Sequence, residues 1–387
     1  MTLDVDARFD TPASSGIADV VGSAAAAADA VDRHARFPAE AVEAMRAANF
    51  LSCSLPTGLG GRSASITELA AIARALGAAC SSAAMVFAMH HTQALVLTKY
   101  ANSGPIAELT ASIAADESLL ASATTEITTG GDIGSSTCAI DVEDETVTLR
   151  KNASVISYGQ YADFICVTAR RTADSPANDQ VLLVCPASDT RLEPTGTWDV
   201  LGFRGTCSPG FLLDATTARR NVIAQDYASI AATTMVPASH TLWSNVWLGI
   251  ADAAVGKART AVRQAVRKAE GKPVPKTLLL ADLLVRHQVL EAHVQREVQR
   301  YEDFRSAGST EATIGFTLAM NNLKIDSSVS VAELVIDALR IVGLNGYRED
   351  HPLTMGRLLR DSFAPQLMVS NDRIRQTNAG LALAHRG

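Results

Sequence analysis

Apolar residues recur at helical spacing from Ala18 to Arg33, and again after Pro38-Ala39-Glu40 as far as Ala48. Proline suits a first helical turn, and Glu40 suits the positive end of the helix dipole. The run Leu55-Pro56-Thr57-Gly58-Leu59-Gly60-Gly61 breaks the pattern. Two more helices are predicted over Ser65–Ala79 and Ser82–Tyr100, the second so apolar that it belongs inside its layer. From Leu120 to about Ile223 the period changes. Short β-branched runs (CAIDV, TVTLRK, FICVTARR, VLLVCP, GFLLD) alternate with polar turns, Asp144-Glu145 reading as a hairpin and Asp174 to Asp179 as a surface loop. About a hundred residues of such strands predict a compact β-barrel or sandwich. After Asp226 the helical period returns over His240–Lys268, Leu278–Phe304 and Thr313–Val342, with further helical pieces between Leu353 and Ala382.

These changes of period divide the chain into three expected domains: helical over 1–119, β over 120–225 and a helical bundle over 226–387, an α+β protein that is mainly α. At 387 residues, 47% apolar and 19% charged, the chain can bury a large core. A net charge of -7 argues against a polyanion-coating protein, and 5% aromatics against base-stacking platforms, so no nucleic-acid partner is expected. The six cysteines, Cys53, Cys80, Cys138, Cys166, Cys185 and Cys207, are scattered without a CxxC pair. They read as reduced buried thiols of a cytoplasmic protein, with no metal site. No apolar run reaches membrane-spanning length, and the N-terminus lacks a signal-peptide core.

Four blocks carry candidate chemistry. The first is Ala123-Thr124-Thr125-Glu126 with Gly130-Gly131-Asp132, and the second is Lys151 to Asp163, KNASVISYGQYAD. The third is Gly202-Phe203-Arg204-Gly205-Thr206. The fourth is Ala338 to Arg373, broken at Gly343-Leu344-Asn345-Gly346 and containing Arg360-Asp361. Read singly, each is an ordinary turn or cap; neither glycine loop has the GxGxxG spacing of a dinucleotide fold. Together and in this order they resemble the acyl-CoA dehydrogenase superfamily, with its helical N-terminal domain, middle β domain and C-terminal four-helix bundle.

The resemblance implies a flavin cofactor, FAD or alternatively FMN. Thr124, Thr125 and Gly131 would lie along the flavin pyrimidine edge, where donors stabilise charge on the reduced ring. Ser157 takes the place of a threonine near the flavin N5, and Val155 that of a tryptophan. Lys151 lies two residues early for the family's lysine. Arg267, four residues before Gly271, matches an arginine that reaches the FAD pyrophosphate of a neighbouring subunit, a contact suited to a guanidinium. Gly343, Asn345 and Gly346 would bind a partner's FAD. A homodimer or homotetramer is therefore expected.

The family's catalytic glutamate is missing. Counted without a gap from Arg360-Asp361, its place falls on Val369, and the alternative place on Ser239. Asp372, almost one helical turn beyond Val369, is a candidate displaced base, with a helix cap or a pair to Arg373 or Arg375 as its plainer role. Relatives without the glutamate include monooxygenases that take reduced flavin from a separate reductase and react it with oxygen. Histidine suits acid–base work there. The candidates are His90 and His91, of which at most one faces a pocket from a helix, and His240. Three functions follow: a flavin monooxygenase acting on a CoA thioester or a small aromatic or amine metabolite; an acyl-CoA dehydrogenase with a displaced base; and a non-catalytic flavin-holding subunit.

Overall fold

The structure is a computed structural model that describes residues 16–130 and 132–385. Five helices come first: α1 (Ile17–Arg33), α2 (Ala39–Ala47), α3 (Ile66–Ala79), α4 (Ser81–Tyr100) and α5 (Ile106–Ala115). Ser65 starts α3 with a reciprocal cap: its hydroxyl accepts the Glu68 N–H while the Glu68 carboxylate accepts the Ser65 N–H. As its composition predicts, α4 is sealed from water along nearly its whole length.

Eight strands follow: β1 (Leu120–Ala123), β2 (Ile140–Glu143), β3 (Thr146–Ala153), β4 (Phe164–Arg170), β5 (Gln180–Pro186), β6 (Thr190–Pro194), β7 (Phe211–Ala218) and β8 (Val222–Ile223). They form two four-stranded sheets, ordered β1-β4-β5-β8 and β2-β3-β7-β6. β1 runs parallel to β4, with Leu120 opposite Phe164. The predicted hairpin joins β2 to β3, with Asp144 at a positive φ of 51°. Burial alternates strictly along β3, as a sheet with one wet face requires.

Helices resume right after Asp226, ahead of the run from His240 that the apolar period marks. α6 (Tyr227–Ile230) runs through a π-helical stretch, Ala231–Met235, into α7 (Val236–Lys268). α8 (Lys276–Ser306), α9 (Ile314–Val342), α11 (Gly356–Leu367) and α12 (Asn371–Ala384) complete the bundle. The expected break at Gly343–Gly346 is one helical turn, α10 (Leu344–Tyr347). α7 is the central mast, packed on α3, α4, α8 and α9. Gly249, an apparent breaker in a long helix, is explained by packing: a Cβ there would lie 2.2 Å from the Arg74 carbonyl oxygen. One on Gly77 would lie 2.4 Å from that of Val246. The two glycines let α3 and α7 cross with backbones in contact. Arg74 then clamps the crossing, 2.6 Å from Asp252 on α7 and 2.6 Å from Glu291 on α8.

Candidate functional site

The β layer contributes a patch of hydroxyls beside open apolar side chains. The hydroxyls of Thr125 and Ser154 are 2.7 Å apart, and the Ser208 hydroxyl donates to that of Ser157 at 2.9 Å. Ile127 (54% exposed) and Val155 (42%) stand open in the same segments. Thr124 is half-buried, and its carbonyl accepts the Thr168 hydroxyl at 3.4 Å. Gly131 lies outside the described residues. From the bundle, the Arg373 guanidinium donates to the Gly130 carbonyl at 2.8 Å, drawing α12 up to this loop. Apolar faces rimmed by hydroxyls suit a flat ring system with polar edges, so these residues fit a flavin.

One residue of the first block and one of the second serve the framework. The Glu126 carboxylate is sealed from solvent and accepts the Lys151 ammonium at 3.0 Å, the N–H groups of Thr137 and Cys138, and the hydroxyls of Ser136 and Thr137. Burial raises its pKa, but these donors outweigh that and hold it at about 2. Lys151 also donates to the Thr168 carbonyl at 2.7 Å. Its displacement from the family's register thus leaves it tying β3 to β4.

The histidine pair is engaged by the framework. His90 donates from Nε2 to the Leu51 carbonyl at 2.6 Å and accepts the Leu120 N–H at Nδ1, 3.1 Å away. His91 donates from Nε2 to the Phe50 carbonyl at 2.9 Å and accepts the Ser54 hydroxyl at Nδ1, also 2.9 Å away. Both rings are fully buried with both nitrogens used, so neither faces a pocket. Burial lowers the pKa of His90 to about 4 and that of His91 well below its ordinary value. They bolt α4 to the 50–54 loop, and His90 also to β1. Asp372 is open to solvent at the start of α12, paired with Arg375 at 2.9 Å. That is the plainer of its two predicted roles.

His240 differs. Its Nδ1 donates to the Met320 carbonyl at 3.1 Å, which leaves the Nε2 lone pair as the ring's acceptor. Burial and the nearby Lys324 charge lower its pKa to about 3. Trp243, one turn on, has a buried indole N–H without a partner among the described residues. Val369 occupies the turn between α11 and α12, 38% exposed and at a φ of 45°. Beneath it, Lys324 donates to the Val369 carbonyl at 3.2 Å and to Asn371 Oδ1 at 2.7 Å. Sequence reading passed over Lys324, although it falls on the apolar face of α9 defined by Met320, Ser327 and Val331. Ser239 lies buried near the start of α7.

Arg267 lies on the exposed last turn of α7. Gly343 ends α9 at a φ of 74°, with the Lys276 ammonium donating to the Ile341 carbonyl beside it at 2.6 Å. Gly346 is buried, while Asn345, Leu344 and Tyr347 project outward. A cleft of about 710 Å³ lies over the solvent face of the sheet β2-β3-β7-β6, lined by Arg150, Asp189, Arg191 and Asp214. None of the flavin-type hydroxyls lines it. Among the described residues there is no cluster able to hold a metal and no helix long and apolar enough to cross a membrane. All six cysteines are free, five of them buried.

Known proteins bear on this arrangement. The chain is similar to the FMN-bound dibenzothiophene monooxygenase TdsC of Paenibacillus sp. A11-2, at 16% identity over 97% of this chain and 98% of that one, with a TM-score of 0.84. It is similar to a nitrososynthase of Micromonospora carbonacea var. africana, at 20% identity over 99% of both chains, TM-score 0.79. KijD3, solved with FMN and a dTDP-linked amino-keto sugar, matches at 20% identity over 98% of this chain and 96% of that one, TM-score 0.80. No curated protein sequence matches. At these identities the likeness speaks for the fold alone. Residues 17–116 match the family model of the acyl-CoA dehydrogenase N-terminal domain, and residues 248–368 that of its C-terminal domain. With the helical layers, the two-sheet middle and the hydroxyl patch in their expected order, the chain belongs to the acyl-CoA dehydrogenase family, with that family's flavoenzyme fold.

Proposed function

We propose that the protein is a flavin-dependent monooxygenase acting on a small aromatic or amine metabolite or a CoA thioester. The observation that carries this reading is the side chain of Val369. Dehydrogenation of an acyl thioester needs a carboxylate within hydrogen-bond reach of the α-proton. Valine and Ser239 stand at the two places, and Asp372 is turned to solvent and paired. Loss of the base removes the dehydrogenation route while the flavin-type contacts remain, which favours oxygen chemistry over a degenerate subunit. The monooxygenase activity of TdsC, the nitrososynthase, and the FMN and amino-keto sugar bound by KijD3 lean the same way.

In this reading Thr125, Ser154 and Ser157 would hold the polar edge of FMN or FAD, with Ile127 and Val155 against its apolar surface. When bound, the flavin supplies two-electron reduction of oxygen. The chain's own part is to exclude water, through the sealed α4 and the Arg373 closure on Gly130, and to place the acceptor Nε2 of His240 on the substrate side. Arg267, Gly343, Asn345 and Gly346 would meet the cofactor of a second subunit in a dimer or tetramer. The open side chains of Leu344 and Tyr347 suit burial in that contact. A cytoplasmic location and a separate reductase belong to the same proposal.

The test is an anaerobic titration of the holoprotein with a panel of acyl-CoAs, following the oxidised-flavin absorption band. The expected result is no bleaching by any acyl-CoA, and oxygen-dependent product once reduced flavin is supplied with a substrate. Bleaching by an acyl-CoA alone would overturn the proposal in favour of dehydrogenation with a displaced base.

A further inference from the structure

Lys324 is completely buried, yet it forms no ion pair among the described residues. Its acceptors are neutral: the Val369 carbonyl and Asn371 Oδ1. Asn371 in turn donates to the Ser328 hydroxyl at 2.9 Å. The charged groups facing it add no compensation. From α7 comes His240, neutral at its low pKa; from α12 comes Arg375, of like sign, which pairs with the exposed Asp372. α9 contributes no acid to the contact. A buried ammonium without a counter-charge is costly, and removing its proton or opening its cover relieves that cost.

We propose that Lys324 is the positioning residue of the candidate site, holding the Val369–Asn371 turn closed by two hydrogen bonds while its uncompensated charge favours opening of that turn. The inference deepens the proposed function, in which Val369 of this turn stands at the family's base position, and rests on that reading for its functional meaning. Burial, and secondarily Arg375, lower the Lys324 pKa from 10.5 to about 8. The sign follows. An opened turn hydrates the amine and restores its ordinary pKa, so opening takes up a proton between pH 8 and 10.5. The turn is therefore loosest below pH 8 and tightens as pH rises through that window, by up to a factor on the order of a hundred. A neutral amine keeps both donors to Val369 and Asn371, so the tightened turn loses no hydrogen bond.

Asn371→Asp separates charge from hydrogen bonding. It puts a carboxylate oxygen where the amide oxygen lies 2.7 Å from the ammonium, and the Ser328 hydroxyl can turn to donate to it. Two measurements on the full chain decide the matter, and neither needs flavin. Amide hydrogen exchange of residues 365–376 at pH 7 should slow at least ten-fold in Asn371→Asp and quicken in Lys324→Met. Side-chain nitrogen NMR should show Lys324 titrating near pH 8 in the wild type and well above it in Asn371→Asp. Unchanged or faster exchange in Asn371→Asp, or a wild-type Lys324 titrating near 10.5, would overturn the inference. Flavin affinity, measured separately by fluorescence quenching, should rise in Asn371→Asp. A wild-type chain that binds no flavin would count against the proposed function alone.

Discussion

The carboxylate of Asp361 accepts the backbone N–H of Phe203 at 2.6 Å, across 158 residues of chain. Its other oxygen accepts the Ser81 hydroxyl at the start of α4. Arg360, its neighbour, pairs with Asp32 on α1 and with Glu349. Gly202 lies against this point so tightly that a Cβ would sit 2.4 Å from the Arg360 carbonyl oxygen. The Arg-Asp pair that helped to mark the family is thus a staple joining the first helices, the β layer and the bundle. Asp361→Asn keeps the shape but turns an amide donor toward one of two donors. A loss of about 2–3 kcal/mol is expected, read by chemical denaturation, with flavin-site residues untouched.

A second framework prediction concerns Lys151. Lys151→Met leaves the Glu126 carboxylate buried without its cation, and breaking a buried pair from one side costs about 3–5 kcal/mol. The pH dependence has a definite sign. Glu126 has a folded pKa of about 2, below its ordinary value of 4.5. Its contribution is therefore fully present above pH 4.5 and is lost as pH falls toward 2. A wild-type acid-unfolding curve should show this loss, and the Glu126→Gln variant should show less of it.

The histidines give a separate window. His90, with a folded pKa of about 4, must stay neutral in the native state, whereas the unfolded ring titrates near 6.5. Stability tied to the buried neutral ring is present above pH 6.5 and declines as pH falls toward 4. His91 adds in the same direction. Thermal unfolding should lose several degrees between pH 7 and 5, and His90→Gln, which can keep one carbonyl contact, should flatten that slope. His90→Gln should not alter the pH profile of turnover in the folded fraction. A shifted profile would return the pair to the catalytic site.

What the sequence revealed depended on periodicity. α1 to α4 and the long bundle helices were legible because apolar spacing sets them. β6, an edge strand whose Leu192 alone packs inward between exposed Arg191 and Glu193, is too short and polar to register as apolar alternation. The Tyr227–Met235 segment was passed over because its polar Thr233 and Thr234 are satisfied or enclosed only in three dimensions. Thr233 meets the Tyr100 hydroxyl at 2.6 Å. In the site, motif spacing led to Thr125, Ser157 and Val369. It could not show that His90 and His91 meet the Leu51 and Phe50 carbonyls, because a histidine in an apolar helix looks the same whether it faces a ligand or a loop's carbonyls. Lys324 was missed for the converse reason: a lysine reads as solvated until the helix is seen to turn it inward.

The crossing of α3 and α7 tests whether Gly249 is a packing residue. Gly249→Ala would press a methyl group against the Arg74 carbonyl, 2.2 Å from its Cβ, and backbone cannot swing aside as a side-chain tip can. A cost of about 2–3 kcal/mol is expected from overpacking. The readout is the denaturant midpoint. Gly256→Ala, where the added Cβ meets nothing, should instead be neutral or stabilise the helix by up to about 1 kcal/mol.

Val369 combines both themes. It is a β-branched residue at a φ of 45°, a conformation that costs such a side chain on the order of 1–3 kcal/mol. Partial exposure means it recovers little by burial. Val369→Gly should therefore raise the unfolding temperature by a few degrees, since glycine adopts this φ freely while the carbonyl bond to Lys324 remains. Val369→Glu asks the functional question. It restores the family's carboxylate at its usual place, but above an ammonium that has no other counter-charge. The new acid should pair with Lys324, and acyl-CoA dehydrogenation should stay weak in the single variant. In Val369→Glu with Lys324→Met the acid is freed, and acyl-CoA-dependent flavin bleaching should rise at least ten-fold over the single variant. Equal rates in the two would mean that Lys324 does not govern the charge of this turn.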